Sequence, residues 1–154
     1  MDLEYLNMVM NEALRYDPPA SVNTPVYLKQ DAKVGKYNFK ANDRIMINLY
    51  GLHFNPSQWQ RPTEFLPERF DSTNELSKTP DGKKRSPSSF APFNGGPRIC
   101  LGKTFAEANL KILNSYLTQN FDFEHVNEKF RTQFPYSHFF ISKVVPVKVK
   151  LTKR

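Results

Sequence analysis

The residues best suited to chemistry lie together in Phe93-Asn94-Gly95-Gly96-Pro97-Arg98-Ile99-Cys100-Leu101-Gly102, just ahead of a helical pattern. Three of the chain's six glycines fall in these ten residues. Glycine concentrates where the backbone takes a left-handed turn or must approach something closely. Cys100 is the single cysteine of the chain. Placed before a helix, its sulfur meets the positive end of the helix dipole, which favours the thiolate over the thiol. A thiolate in such a place is a nucleophile or a metal ligand, and Arg98 adds a cation able to bind a carboxylate. A buried cysteine acting as a small hydrophobe is the plain alternative. A nucleophile needs a base, yet His53, His125 and His138 form no Cys/His motif, and the Lys-Ser/Thr of a phosphate-binding loop is absent.

The elements that must carry this segment follow from periodicity and breakers. Leu3, Leu6, Met10 and Leu14 recur at helical spacing, and Asp17-Pro18-Pro19 ends the run. Glu12 and Arg15, three apart, share a face of that helix. Strands are expected at Val26-Tyr27-Leu28, Lys36 to Lys40 and Arg44 to Tyr50, with Asn42-Asp43 as a turn. Seven of the 12 prolines lie between Pro56 and Pro97, so no long helix crosses that stretch. It also carries Trp59, Phe65, Phe70, Phe90 and Phe93, which predicts an irregular but packed coil, with Ser72 to Ser89 as an exposed loop. A second helix is expected on a face made by Phe105, Ala106, Leu110, Leu113, Tyr116 and Leu117, ending at Asn120. The tail alternates as a strand from Val145 to Leu151, where Pro146 suits an edge.

Composition bounds the rest. At 154 residues the chain has room for one domain. Aromatics make up 14% and the formal charge is +7, while mean hydropathy is −0.60. This is basic, core-forming material and not a disordered chain. One cysteine excludes an internal disulfide and a multi-cysteine zinc site. No apolar run is long enough to cross a membrane, and the first residues do not read as a signal peptide.

The ten-residue stretch resembles the haem-binding signature Phe-x-x-Gly-x-Arg-x-Cys-x-Gly of the cytochrome P-450 haem-thiolate monooxygenases, matched at Phe93, Gly96, Arg98, Cys100 and Gly102. Two further landmarks stand in the family's order. Glu12-Ala13-Leu14-Arg15 resembles the Glu-x-x-Arg of helix K, and Phe65-Leu66-Pro67-Glu68-Arg69-Phe70 resembles the "PERF" motif. His53-Phe54-Asn55-Pro56 with Trp59 is similar to the family's His-Arg-Asp-Pro-x-x-Trp. The resemblance implies a mixed α+β class: a mainly helical P-450 fold to which this chain supplies helix K, small antiparallel sheets, the meander, the cysteine loop and helix L. Residues 1–154 would be the C-terminal part of one such domain, an incomplete one. The membrane anchor, the oxygen-activating helix and most of the substrate channel would lie outside it, leaving apolar surface uncovered.

The same resemblance assigns roles. Cys100 would be the metal ligand, the thiolate on the iron of haem b, with backbone N–H groups of the loop hydrogen-bonding its sulfur. Phe93 would pack on the porphyrin, Arg98 would pair with a propionate, and Gly96 and Gly102 would let the backbone approach the ring. Glu12, Arg15 and Arg69 would form a buried triad that locks the coil beneath the cysteine loop. Residues 20–24 and 135–140 would face the substrate cavity, where Phe134, Tyr136, Phe139 and Phe140 suit either an apolar pocket or ordinary core. Ser21-Val22-Asn23-Thr24-Pro25-Val26 lacks the arginine that many members place there for a propionate.

Implied partners are a flavoprotein reductase or small electron-transfer protein bringing electrons from NADPH, and an apolar small-molecule substrate. Lys83, Lys84, Arg85 and Lys103 would form the basic docking face. The endoplasmic reticulum membrane is the expected location of a full-length member. The isolated chain is not expected to hydroxylate a substrate. A non-catalytic haem-binding or partner-binding remnant is the alternative, and a nucleic-acid-binding module has only charge and aromatics in its favour.

Overall fold

A computed structural model describes residues 3–126, 136–137, 143–144 and 148–154. Helix α1 spans Glu4–Tyr16, and the expected apolar stripe buries Met10 and Leu14. Between these two apolar residues Glu12 is buried, and Arg15 is buried beside Leu14. The helix ends as the sequence predicts, with Asp17 N–H donating to Ala13 C=O just before Pro18.

Four short strands follow: β1 (Val26–Tyr27), β2 (Ala32–Val34), β3 (Tyr37–Phe39) and β4 (Arg44–Ile45). They form two separate antiparallel pairs, β1 with β4 and β2 with β3. Strand β2, which the sequence reading lacked, meets β3 across Gly35 at φ +58°. The strand expected over Arg44 to Tyr50 stops at Ile45, and helix α2 (Leu49–His53) begins instead. Asn48 causes the switch: its Oδ1 accepts from Gly51 N–H at 2.8 Å and caps the helix.

The proline-rich stretch is irregular and packed, as expected. Trp59 is buried, and the Phe70–Phe90, Trp59–Phe70 and Trp59–Phe90 ring centroids lie 4.9, 6.1 and 6.3 Å apart. Phe65, in contrast, is exposed, with its ring edge-on to Tyr16. Residues 72–89 are largely exposed, as expected, with two buried exceptions. Thr79 and Ser89 are buried, and Thr79 closes a turn through Lys83 N–H and C=O.

The tie between α1 and this coil is ionic. Arg15 holds the Glu12 carboxylate in a two-point grip at 2.7 and 2.8 Å, and Arg69 Nε reaches its Oε1 at 3.1 Å. All three side chains are fully buried. Their remaining donors end on backbone carbonyls: Arg15 on His53, Pro62 and Glu64, Arg69 on Gln60, Arg61 and Glu64. Leu66 N–H donates to Glu12 Oε1 at 2.7 Å, so the carboxylate also pins the turn carrying Arg69.

Helix α3 (Lys103–Asn120) follows the cysteine segment and runs into β5 (Phe121–His125), which pairs antiparallel with β8 (Val149–Lys153). Strands β6 (Tyr136–Ser137) and β7 (Lys143–Val144) form another pair. The expected tail strand is thus seen from Val149 onward, while residues 145–147 lie outside the described residues. The single apolar face expected for α3 is divided. Ala106, Leu110 and Leu117 are half-buried, whereas Phe105, Leu113 and Tyr116 are exposed, as is Ile112. The helix therefore has one broad apolar face, half-covered along one edge and exposed along the other.

Glu12→Gln removes the charge that two buried guanidiniums and the Leu66 N–H converge on and should lower the unfolding free energy by about 3–5 kcal/mol. Urea unfolding checks this; a loss within the range of a surface substitution would contradict the buried arrangement.

Candidate functional site

The cysteine segment turns sharply for a local reason. Asn94 and Gly96 both have left-handed backbones, at φ +62° and +70°, around an extended Gly95. Asn94 N–H donates to Ala91 C=O at 3.0 Å, Ile99 N–H to Gly96 C=O at 3.2 Å and Cys100 N–H to Phe93 C=O at 2.9 Å. These bonds fold the segment back on itself and leave Cys100 exposed. The cysteine is two residues ahead of Gly102, the N-cap of α3, so the placement before a helix matches the expectation. Among the described residues no backbone N–H donates to the sulfur, in contrast to the expectation. At Gly102 an added Cβ would meet Cys100 Sγ at 3.8 Å, an ordinary contact. A side chain at 102 would rest against the sulfur without displacing it, and no backbone strain calls for glycine there.

A cavity of about 770 Å³ is lined by Asn94, Gly95, Gly96 and Arg98 together with Asn23, Thr24, Pro25, Val26 and Ile47. The structure thus unites the signature segment with residues after the double proline. Asn23 is occupied there, exchanging hydrogen bonds with Ile47 through backbone and side chain. Arg98 is exposed, and among the described residues it has no ion-pair partner. Phe93 is half-buried and lines a different cavity of about 200 Å³, with Asn11, Leu14 and Ile99. Residues 134, 139 and 140 lie outside the described residues, as do the side chains of 136 and 137.

The donor set suits a thiolate-bound haem. It offers one accessible sulfur, a cation free to take a carboxylate, and apolar Ile99, Leu101 and Phe105 exposed next to the cysteine in sequence. Leu101 is completely exposed, and Ile99 and Phe105 are exposed on either side of it in sequence.

The basic cluster is not one face. Arg85 turns inward: its guanidinium stacks 4.1 Å from the Trp59 ring centroid and donates to Arg69 C=O at 2.5 Å and Leu76 C=O at 3.2 Å. Burial pulls its pKa down to about 10, helped by Arg69, so it remains a cation at neutral pH. Lys83 pairs with Asp81 at 2.6 Å, and this ion pair with the Thr79 hydroxyl holds the Asp81 pKa near 2. The expectation that Arg85 belongs to a docking surface is corrected: its run of three basic residues contributes exposed Lys83 and Lys84, of which Lys83 is already paired.

His53 was outside every chemical role assigned from sequence. It is fully buried at the end of α2, and its Nε2 accepts from Ala91 N–H at 3.0 Å. Burial and then the Arg15 charge hold its pKa down at about 4. Only its place in the His-x-x-Pro-x-x-Trp pattern, shared with Trp59, signalled that it matters.

The family model described as Cytochrome P450 matches residues 1–151. Mouse Cytochrome P450 3A11 is 38% identical over 135 residues, covering 88% of this chain and 25% of its own. Maize Cytochrome P450 71C3 is 36% identical, covering 82% and 23%. The guinea-pig (Cavia porcellus) steroid 17-alpha-hydroxylase/17,20 lyase is 35% identical, covering 97% and 28%. The crystal structure of a cytochrome P450, CYP102L1, superposes with a TM-score of 0.82 at 29% identity, over 99% of this chain and 32% of that one. The chain belongs to the cytochrome P450 family, the haem-thiolate monooxygenases. It has their fold, in the mixed helix-and-small-sheet form that its motifs implied. It spans about a quarter of the length of the curated relatives it matches.

Two outcomes follow from the site. In the unfolded chain His53 returns to its ordinary pKa near 6.5, so as pH falls the unfolded state takes up the proton first. Stability from this group is complete above about pH 6.5 and is lost progressively down to about pH 4, by about 3 kcal/mol in all. Comparing urea unfolding of wild type and His53→Gln across that window isolates the contribution, and the variant should show a shallower fall. Separately, Lys84→Glu should change stability by less than about 0.5 kcal/mol, as at other exposed sites. Arg85→Glu, which puts a carboxylate against Trp59, should cost several times more by thermal unfolding.

Proposed function

We propose that this chain is the C-terminal portion of a single cytochrome P450 domain, and that Cys100 is the thiolate ligand of its haem iron. Cys100 offers an accessible sulfur immediately before α3, held there by the folded-back loop. Arg98 pairs with a haem propionate, a role suited to an exposed guanidinium on the rim of the large cavity. Gly96 gives the loop its left-handed turn, and Gly102 puts no side chain against the sulfur. Phe93 accepts the Cys100 N–H on its backbone and fixes the ligand's direction, its ring flanking the site beside α1. A thiolate-ligated haem b supplies electron density that favours O–O cleavage, and so insertion of one oxygen atom into an apolar organic substrate.

The observation that carries the reading is the exposed Cys100 on a left-handed glycine turn, in one segment with Arg98. The steroid named for the guinea-pig hydroxylase relative supports an apolar small-molecule substrate. Electrons come from NADPH through a flavoprotein reductase or a small electron-transfer protein, met on the cysteine side by Lys84 and Lys103, with Lys83 tempered by Asp81. The full protein resides at the endoplasmic reticulum membrane, while no helix among the described residues is long and apolar enough to cross one.

Exposed Leu101, Phe105, Ile112, Leu113 and Tyr116 favour a second reading for the chain alone. These side chains need the preceding part of the domain to cover them, and without it the chain binds haem without turning over substrate.

Haem titration followed by the reduced, carbonyl-bound spectrum tests the ligand assignment. Wild type should give the thiolate-type Soret band, and Cys100→Ser should lose it. An unaltered band in that variant would overturn the proposal. NADPH-dependent turnover with a reductase then separates the catalytic reading from the binding one.

A further inference from the structure

The route from the buried Glu12 to the cysteine is a continuous set of polar contacts. Arg15, gripping Glu12, donates to His53 C=O at 3.0 Å. The His53 ring accepts from Ala91 N–H. Ala91 C=O in turn receives Asn94 N–H, the bond that opens the cysteine turn, and Phe93 C=O receives Cys100 N–H.

The stretch from Pro87 to Cys100 has few other hydrogen bonds to the rest of the chain, and its packing anchor is Phe90 on Trp59 and Phe70. Pro87, Pro92 and Pro97 have no N–H to donate. The hydrogen bonds of Ser89, Asn94, Ile99 and Cys100 N–H groups all close onto carbonyls within residues 86–96. Ala91 N–H reaches across 38 residues of sequence to a fully buried ring. Phe90 beside it packs on that ring with centroids 5.4 Å apart.

We propose that His53 is a positioning residue for Cys100: its Nε2 lone pair fixes Ala91, and Ala91 fixes the turn that aims the cysteine. This rests on the reading of Cys100 as the haem ligand. A neutral imidazole is required, because a protonated one would present a second N–H to the Ala91 N–H. Burial first, and then the positive charge of the Arg15 guanidinium, which has Glu12 and Arg69 behind it, keep the ring neutral. Nδ1 then carries the ring proton, buried without a protein partner among the described residues.

The test compares His53→Leu, which removes the acceptor, with His53→Gln, which retains one. In the holoprotein the readout is the ratio of thiolate-type to thiol-type carbonyl adduct. It should fall several-fold in the leucine variant and recover substantially in the glutamine variant. Equal ratios in the two variants, whether lowered or unchanged, overturn the proposal. Should the leucine variant fail to fold, amide hydrogen exchange of the wild-type protein decides. Ala91 N–H should exchange at least about ten-fold more slowly than Gly95 N–H, and equal rates overturn the proposal. That exchange measurement does not involve haem, so failure of the Cys100 assignment would appear in the Cys100→Ser spectrum while Ala91 remained protected.

Discussion

The structure depends on one carboxylate taken out of water. Glu12 accepts from two guanidiniums and from a backbone amide, and nothing in its surroundings is exposed enough to return it to solvent. Such an arrangement gives less net stability than its contacts suggest, because desolvation of three ions offsets much of their attraction. Its value is directional. Each guanidinium has donors left over after meeting the carboxylate, and those donors select particular carbonyls of a coil that lacks a ladder of its own. Five separate residues between His53 and Glu64 are held in this way.

Arg85 extends the same logic without a second acid. Three arginines gather near one glutamate, and the excess positive charge is met by the Trp59 ring and by carbonyl oxygens. An aromatic face is a weak acceptor of charge, yet it is apolar enough to belong in the core, which another carboxylate is not. Trp59 therefore serves both as packing and as an electrostatic partner of Arg15 and Arg85.

Much of this was legible from residues. The three-residue spacing of Glu12 and Arg15 guaranteed a shared helix face, and the signature around Cys100, with the other landmarks in order, pointed to the family. What escaped has physical causes. The apolar run Arg44 to Tyr50 has strand character throughout, but a single Asn48 side chain satisfies a helix start and overrides it. Lys83-Lys84-Arg85 reads as one charged patch, yet a guanidinium with its flat apolar faces can be buried on tryptophan where an ammonium is left at the surface. The His-x-x-Pro-x-x-Trp pattern marks His53 without revealing its task, since the amide it accepts from is 38 residues away. That only one edge of the α3 apolar face is covered could not be read from the chain, because periodicity reports that a face is apolar and not what covers it.

The left-handed pair at Asn94 and Gly96 has a thermodynamic corollary. Glycines at 95 and 96 give the unfolded segment a wide choice of conformations, and all of that freedom must be surrendered to reach the single shape seen. Loop order and occupancy are consequently linked functions: any molecule that recognises only the ordered shape raises the melting point as its concentration rises, and any substitution that prepays the ordering entropy tightens its dissociation constant by the same free energy.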